Sequence, residues 1–188
     1  MLREACRRAR LWFDSGIDLH VCVNVSADEF CQANFATAVE QLITETGIPP
    51  AMLELELTER IMVDGFSDVI ETIAKLKLAG IRLAIDDFGT GYSSLSYLKY
   101  FPINTLKIDR SFVSNIVDDP FDRAIAKSVL TLAGDLRLDC IAEGIETVGQ
   151  LDALRQLGCR RFQGYFFSRP MPAEALRERL SATPIERV

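Results

Sequence analysis

The sequence is poor in the residues that build imidazole or thiolate metal centres. Its 188 residues contain one histidine, His20, which excludes a His-rich metal site. The five cysteines, Cys6, Cys22, Cys31, Cys140 and Cys159, are odd in number and form no CxxC pair. A disulfide framework or a structural zinc site is therefore not expected, and free thiols in a reducing cytoplasm are. No apolar run approaches the roughly 20 residues of a membrane span, and the basic, amphipathic N-terminal stretch does not read as a signal peptide. There is also no basic stripe. Charges of both signs are mixed along the chain and the net charge is −6, so duplex nucleic acid is not an expected partner. An anionic ligand on such a chain needs metal ions or local basic groups.

What is present reads as one globular domain, 48% hydrophobic and 26% charged, long enough to bury a core without staples. Short β-branched and apolar stretches read as strands at His20–Ser26, Met52–Thr58, Ile81–Asp86, Asn104–Asp109, Leu138–Glu143 and Cys159–Phe166. Helical spacing fills the intervals. Phe35, Val39, Leu42 and Ile43 form one apolar face, closed by Gly47 and the Pro49–Pro50 pair. Val69, Ile70, Ile73 and Leu76 form another, with Gly80 as its stop. A third helix covers about Arg123 to Gly134. Thr147 and Gln150 form a capping box for a helix through Leu151, Leu154 and Leu157.

Repeated β-α order predicts a parallel sheet with helices outside it. Alternation within the strands decides between an open sheet and a barrel. Leu53, Leu55 and Leu57 share one face of the second strand, and Glu54 and Glu56 the other. Ile81, Leu83 and Ile85 oppose Arg82, Ala84 and Asp86, and Leu106 and Ile108 oppose Thr105, Lys107 and Asp109. A sheet covered on both faces by helices wants both faces apolar, so a TIM-like (β/α) barrel with a polar lumen fits better. Six strands fall short of the eight of a closed barrel, which takes about 250 residues. Leu2, Ala5, Cys6, Ala9 and Trp12 already show helical spacing. The expectation is a single partial barrel domain over residues 1–188, with two strands belonging upstream.

Polar residues sit at every strand end: Asn24, Glu56 with Glu59 after it, Asp86 and Asp87, Lys107 and Asp109, Glu143 and Glu146, and Gln163. In βα barrels these ends form the active face. Four carboxylates and a carboxamide make a hard-oxygen set suited to Mg2+ or Mn2+. Adjacent Asp86 and Asp87 repel unless a cation lies between them. The glycines that follow, Gly89 and Gly91, permit a tight turn before Ser93 and Ser94, either of which can cap a helix.

The motifs Asn24-Val25-Ser26, Glu56-Leu57-Thr58-Glu59, Asp86-Asp87-Phe88-Gly89-Thr90-Gly91-Tyr92-Ser93-Ser94-Leu95, Leu106-Lys107-Ile108-Asp109, Ala142-Glu143-Gly144-Ile145-Glu146 and Gln163-Gly164-Tyr165 occur in the order seen in EAL domains, and from Leu2 to about Pro172 the chain resembles that family. The resemblance implies a TIM-like barrel that hydrolyses cyclic di-GMP to linear pGpG with Mg2+ or Mn2+. It implies Asn24, Glu56, Asp86, Asp87 and Glu143 as metal ligands. Lys107 would orient or help deprotonate the attacking water, Glu59 would anchor the Asp-Asp-Phe-Gly loop, and Gln163 would lie near water and substrate. Tyr92, Ser93 and Ser94 fall in the loop tied to metal binding and dimerisation. The sequence departs from the family in lacking the early Glu-Ala-Leu strand, whose Glu is a metal ligand, and the substrate-binding Arg after it. Arg60 stands where the family often has Ser. Glu174-Ala175-Leu176 lies in a helical stretch, Ala173–Leu180, and is not the signature strand. These 188 residues alone are therefore expected to be inactive or slow, to bind cyclic di-GMP weakly if at all, and to self-associate through the open barrel edge or the Asp86–Ser94 loop. The alternative is a non-catalytic nucleotide-binding or protein-interaction module.

Overall fold

The computed structural model describes residues 1–17, 19–62, 66–91, 98 and 101–182. Six strands are found among them: β1 (Val21–Val25), β2 (Leu53–Thr58), β3 (Arg82–Phe88), β4 (Thr105–Ile108), β5 (Asp139–Ala142) and β6 (Arg161–Phe162). All neighbours pair in parallel, in the order β1-β2-β3-β4-β5-β6. Strands adjacent in sequence are thus adjacent in space, with the described helices between and around them: α1 (Leu2–Asp14) before β1, α2 (Ala27–Phe30) and α3 (Phe35–Thr46) between β1 and β2, α4 (Phe66–Leu78) between β2 and β3, α5 (Arg110–Ser114) and α6 (Pro120–Asp135) between β4 and β5, α7 (Val148–Gln156) between β5 and β6, and α8 (Ala173–Ala182) after β6. The architecture is an incomplete TIM-like (β/α) barrel. Among the described residues no helix is long and apolar enough to cross a membrane.

The leucine face of β2 meets the helices: Leu53, Leu55 and Leu57 are at most 1% exposed, as are Leu83, Ile85, Leu106 and Ile108 of β3 and β4. They form one core with Val39, Leu42, Ile73, Leu76 and Val129 from the helices. The opposite face is polar as expected, yet it is also closed to solvent. Glu54, Glu56, Thr105 and Lys107 are all buried, so the lumen is an ionic interior. Its lower half is a cross-strand network. Arg82 Nη2 donates to Asp139 at 2.8 Å, its Nε lies 3.5 Å from Glu54, Arg161 pairs with Asp139 at 2.7 Å, and Thr105 Oγ1 donates to Glu54.

Local chemistry sets the element ends. Gly47 and Gly80 stop α3 and α4 with φ of +67° and +84°, a backbone region cheap only for glycine. Thr147 and Gln150 close the reciprocal capping box of α7. Helix α6 begins at Pro120, three residues before the expected Arg123, because Asp119 accepts the Phe121 N–H at 2.7 Å and proline suits the first helical turn. The expected strand Cys159–Phe166 shrinks to Arg161–Phe162. Beyond it Gln163 N–H still reaches Ala142 O at 2.8 Å, but Phe166 N–H turns back to Ile145 O at 2.9 Å. Gly164 lies so close to Ile145 that a Cβ would fall 2.2 Å from its carbonyl oxygen. The Glu174-Ala175-Leu176 triplet sits on α8 and not on a strand; exposed Glu174 pairs with Arg8 of α1 at 2.7 Å, while Leu176 reaches the wall of the cavity that Glu143 and Gln163 also line.

Candidate active site

The parallel register carries the strand-end residues to one level. Asn24 stands beside Glu56, and Thr58 beside Asp86. Lys107, two residues beyond Thr105 on β4, extends into the centre and is almost wholly buried. Its Nζ lies 2.9 Å from Glu56 Oε2, 3.1 Å from Asp86 Oδ1 and 2.7 Å from Glu143 Oε1. One ammonium therefore balances carboxylates from three strands or strand ends. Burial pulls the Lys107 pKa down, but the hydrogen bonds and charges of Glu143 and Glu56 outweigh it and hold the pKa above the ordinary lysine range. Lys107 is therefore held as an ammonium, a hydrogen-bond donor to the carboxylates around it. Burial pushes the Glu143 carboxyl up, with Lys107 opposing and Asp86 and Glu56 adding to the rise.

Asp87 adopts φ +54° at the end of β3, and its side chain lies against that of Asp109. The two carboxyl groups share a hydrogen bond. Burial, then the charges of Asp86 and Asp109, raises the Asp87 pKa. Burial also acts to raise that of Asp109, but the Ser111 hydroxyl and backbone donors outweigh it and the net shift is downward. Environments that push two carboxyls apart in this way mark a working acidic site. Asp109 also caps α5. Its sequence position was visible, but its pairing with Asp87 was not. Glu59 accepts the Gly89 N–H at 3.2 Å through Oε2, while its buried Oε1 has no hydrogen-bond partner. That contact ties the turn after Asp87 to the end of β2. Gln163 lines a cavity of about 770 Å3 together with Glu143 and Arg110. Tyr92, Ser93 and Ser94 lie outside the described residues.

These groups fit a hard divalent cation in donor chemistry. They are carboxylates and one carboxamide, the hard oxygen donors such a cation takes. Among the described residues no three acids, histidines or cysteines are arranged as a ready metal cage, and Lys107 sits at the point where Glu56, Asp86 and Glu143 converge.

A parallel β/α barrel with an acidic, lysine-centred site at the C-terminal ends of its strands defines the class of protein. The family follows from comparison: the EAL domain profile matches residues 1–170, and the chain belongs to the EAL domain family. It is 40% identical over 184 residues to signaling protein YkoW of Bacillus subtilis, covering 98% of this chain and 23% of that one. It is 41% identical over 177 residues to the bifunctional diguanylate cyclase/cyclic di-GMP phosphodiesterase MucR of Pseudomonas aeruginosa, covering 94% and 26%. The chain thus spans about a quarter of these relatives. A solved complex of the MucR phosphodiesterase with c-di-GMP superposes with TM-score 0.89 at 41% identity, covering 93% of this chain and 71% of that one. The EAL domain of Mycobacterium smegmatis DcpA superposes with TM-score 0.91 at 37% identity, covering 100% and 83%.

Proposed function

We propose that residues 1–188 carry most of the acidic site of a cyclic-di-GMP phosphodiesterase, with Asn24, Glu56, Asp86, Asp87 and Glu143 holding Mg2+ or Mn2+. The observation that carries the reading is the convergence of Glu56, Asp86 and Glu143 on Lys107 within 3.1 Å. The named relatives that act on or bind the cyclic dinucleotide support the choice of substrate. When bound, paired divalent cations supply Lewis-acid polarisation of the phosphodiester and acidify a water.

The chain's own residues do the rest. Lys107, kept as an ammonium, donates to the attacking oxygen or to a phosphate oxygen and so orients it. The proton that oxygen loses passes to solvent or to a neighbouring carboxylate, and the leaving alkoxide takes up a proton in turn. Glu59 fixes the turn that carries Asp86 and Asp87 by holding Gly89. Gln163 positions water or substrate from the cavity wall.

By themselves these residues bind metal and nucleotide weakly and turn over slowly, since an ammonium already occupies the point where three carboxylates converge and, among the described residues, β1 and β6 are the sheet's edges. Those two edges offer unpaired backbone to a second chain, and we propose self-association there; a monodisperse monomer by light scattering overturns it. The catalytic reading is tested by incubating the chain with cyclic di-GMP and Mn2+ and separating the products. Slow formation of pGpG that disappears in Glu56→Gln supports it. Calorimetric binding of Mn2+ and nucleotide without any pGpG favours a non-catalytic binding module, and no binding of either overturns both.

A further inference from the structure

The cavity over Glu143 has a second property that the carboxylate cluster does not use. Arg110 and Arg169 both line it, beside Tyr165, Gln163 and Glu146. Arg169 stacks its guanidinium over the Tyr165 ring, 5.0 Å from the centroid. Arg110 is placed more exactingly. It is the first residue of α5, directly after the capping Asp109, and its stem lies flat across the backbone of Gly144. A Cβ at Gly144 would fall 2.3 Å from Arg110 Cγ and 2.7 Å from its Cβ. Gly144 therefore answers two needs at once: a φ of +71° and room for the arginine stem. Any other residue there evicts Arg110 from the cavity lip.

The head group is aimed but only partly engaged. Arg110 Nη2 contacts Glu146 Oε1 at 2.7 Å, with the arginine side chain 60% exposed. Glu146 is itself positioned, because its backbone N–H donates to Gln150 Oε1 at 2.8 Å, an extension of the capping box of α7. A guanidinium carries five N–H donors in a planar fork, and one contact to Glu146 leaves an edge of it facing the cavity. The arrangement matches the bidentate recognition of a phosphate oxygen pair. Gly144, under the arginine stem, directly follows Glu143, and both Arg110 and Glu143 line the cavity; we place Glu143 against the reacting phosphodiester.

We propose that Arg110 is a phosphate-binding residue of this site, gripping an anionic oxygen of the nucleotide's phosphodiester, with Glu146 and Gly144 as the positioning residues that hold its guanidinium at the lip. The inference rests on the proposed function above. It supplies a cation beside the acidic strand ends, where the Lys107 charge already faces three carboxylates and Arg169 is stacked on Tyr165.

The test is calorimetric binding of cyclic di-GMP to the chain in saturating Mn2+, for the unsubstituted protein, Arg110→Ala and Arg110→Lys, with Mn2+ binding measured separately for each. Loss of a charge-assisted contact weakens nucleotide binding by about 10-fold or more. Arg110→Lys recovers part of the loss, as a point charge without the fork. Guanosine, which lacks a phosphate, binds all three with equal weakness, and Mn2+ affinity is unchanged. Because the ion pair with Glu146 is exposed, the melting temperature stays close to that of the parent, so a folding defect is distinguishable from a binding one. Equal nucleotide affinity in the parent and Arg110→Ala overturns the role of Arg110 alone. Equal loss of Mn2+ affinity overturns it too, by making the effect indirect. Absence of any nucleotide binding by the parent overturns the proposed function and this inference with it.

Discussion

Replacing Lys107 by Met removes the one positive charge at the centre of the site while keeping the length and most of the apolar volume of the side chain. Glu56, Asp86 and Glu143, which lie 2.7–3.1 Å from Nζ, are then left facing one another. Breaking a buried ion pair by deleting one partner costs about 3–5 kcal/mol. Protonation of one or two of the stranded carboxyls softens the loss, so the lower end applies. For a chain of this length each kcal/mol moves the midpoint by about 2–4 °C, which gives a fall of roughly 10 °C in EDTA. The sign reverses with metal. A divalent cation in the variant meets three carboxylates with no internal competitor. At 100 times its dissociation constant a ligand adds about 2.7 kcal/mol, so Mn2+ should raise the midpoint of Lys107→Met by more than it raises that of the parent. Thermal unfolding followed by circular dichroism, with and without Mn2+, measures both effects. A midpoint within about 2 °C of the parent in EDTA, or an equal Mn2+ increment in both proteins, would refute the view of Lys107 as the resident counter-ion of the site.

Asp87→Asn should act in the opposite direction. Asp87 titrates high because of burial and its acidic neighbours, and a carboxyl whose folded pKa is raised destabilises the fold once ionised, progressively as pH rises above its unfolded value. Asparagine tolerates the positive φ, so the metal-free midpoint at pH 7 should rise while Mn2+ stabilisation falls; a lower midpoint in EDTA would contradict this. Glu59→Ala leaves the Gly89 N–H without its acceptor and should cost about 1–3 kcal/mol, with faster amide exchange at Gly89 as the local signature. Glu174→Gln should change neither the melting temperature nor Mn2+ affinity, since its ion pair with Arg8 is at the surface; a loss of Mn2+ binding would make that triplet part of the site after all.

The strands were legible because their two faces differ. Alternation of Leu53, Leu55 and Leu57 with Glu54 and Glu56 has period two, and the helices between them have caps that name themselves, as Thr147 and Gln150 do. Element ends were less legible wherever a long-range contact decided them. Nothing local marks the end of β6 after Phe162; it is the close approach of Gly164 to Ile145 that turns the chain. The site was legible as an inventory, since strand ends converge in a barrel. Its pairings were not. That Lys107 serves three carboxylates, that Arg82 reaches Asp139 across 57 residues, or that Asp87 lies against Asp109 depends on register and side-chain reach, which residue spacing does not encode.

The lower network of the lumen bears on kinetics as well as on packing. Glu54 and Asp139 are matched there by Arg82 and Arg161, so that half of the interior is electrically quiet. The unmatched negative charge lies above it, at the strand ends. Field lines from those carboxylates leave through the mouth and find little to terminate on below, which makes the lumen a one-ended funnel for cations. Capture of a divalent ion should accordingly be fast at low ionic strength and slow as salt screens the mouth, while the rate of its escape, set by contacts inside, changes far less.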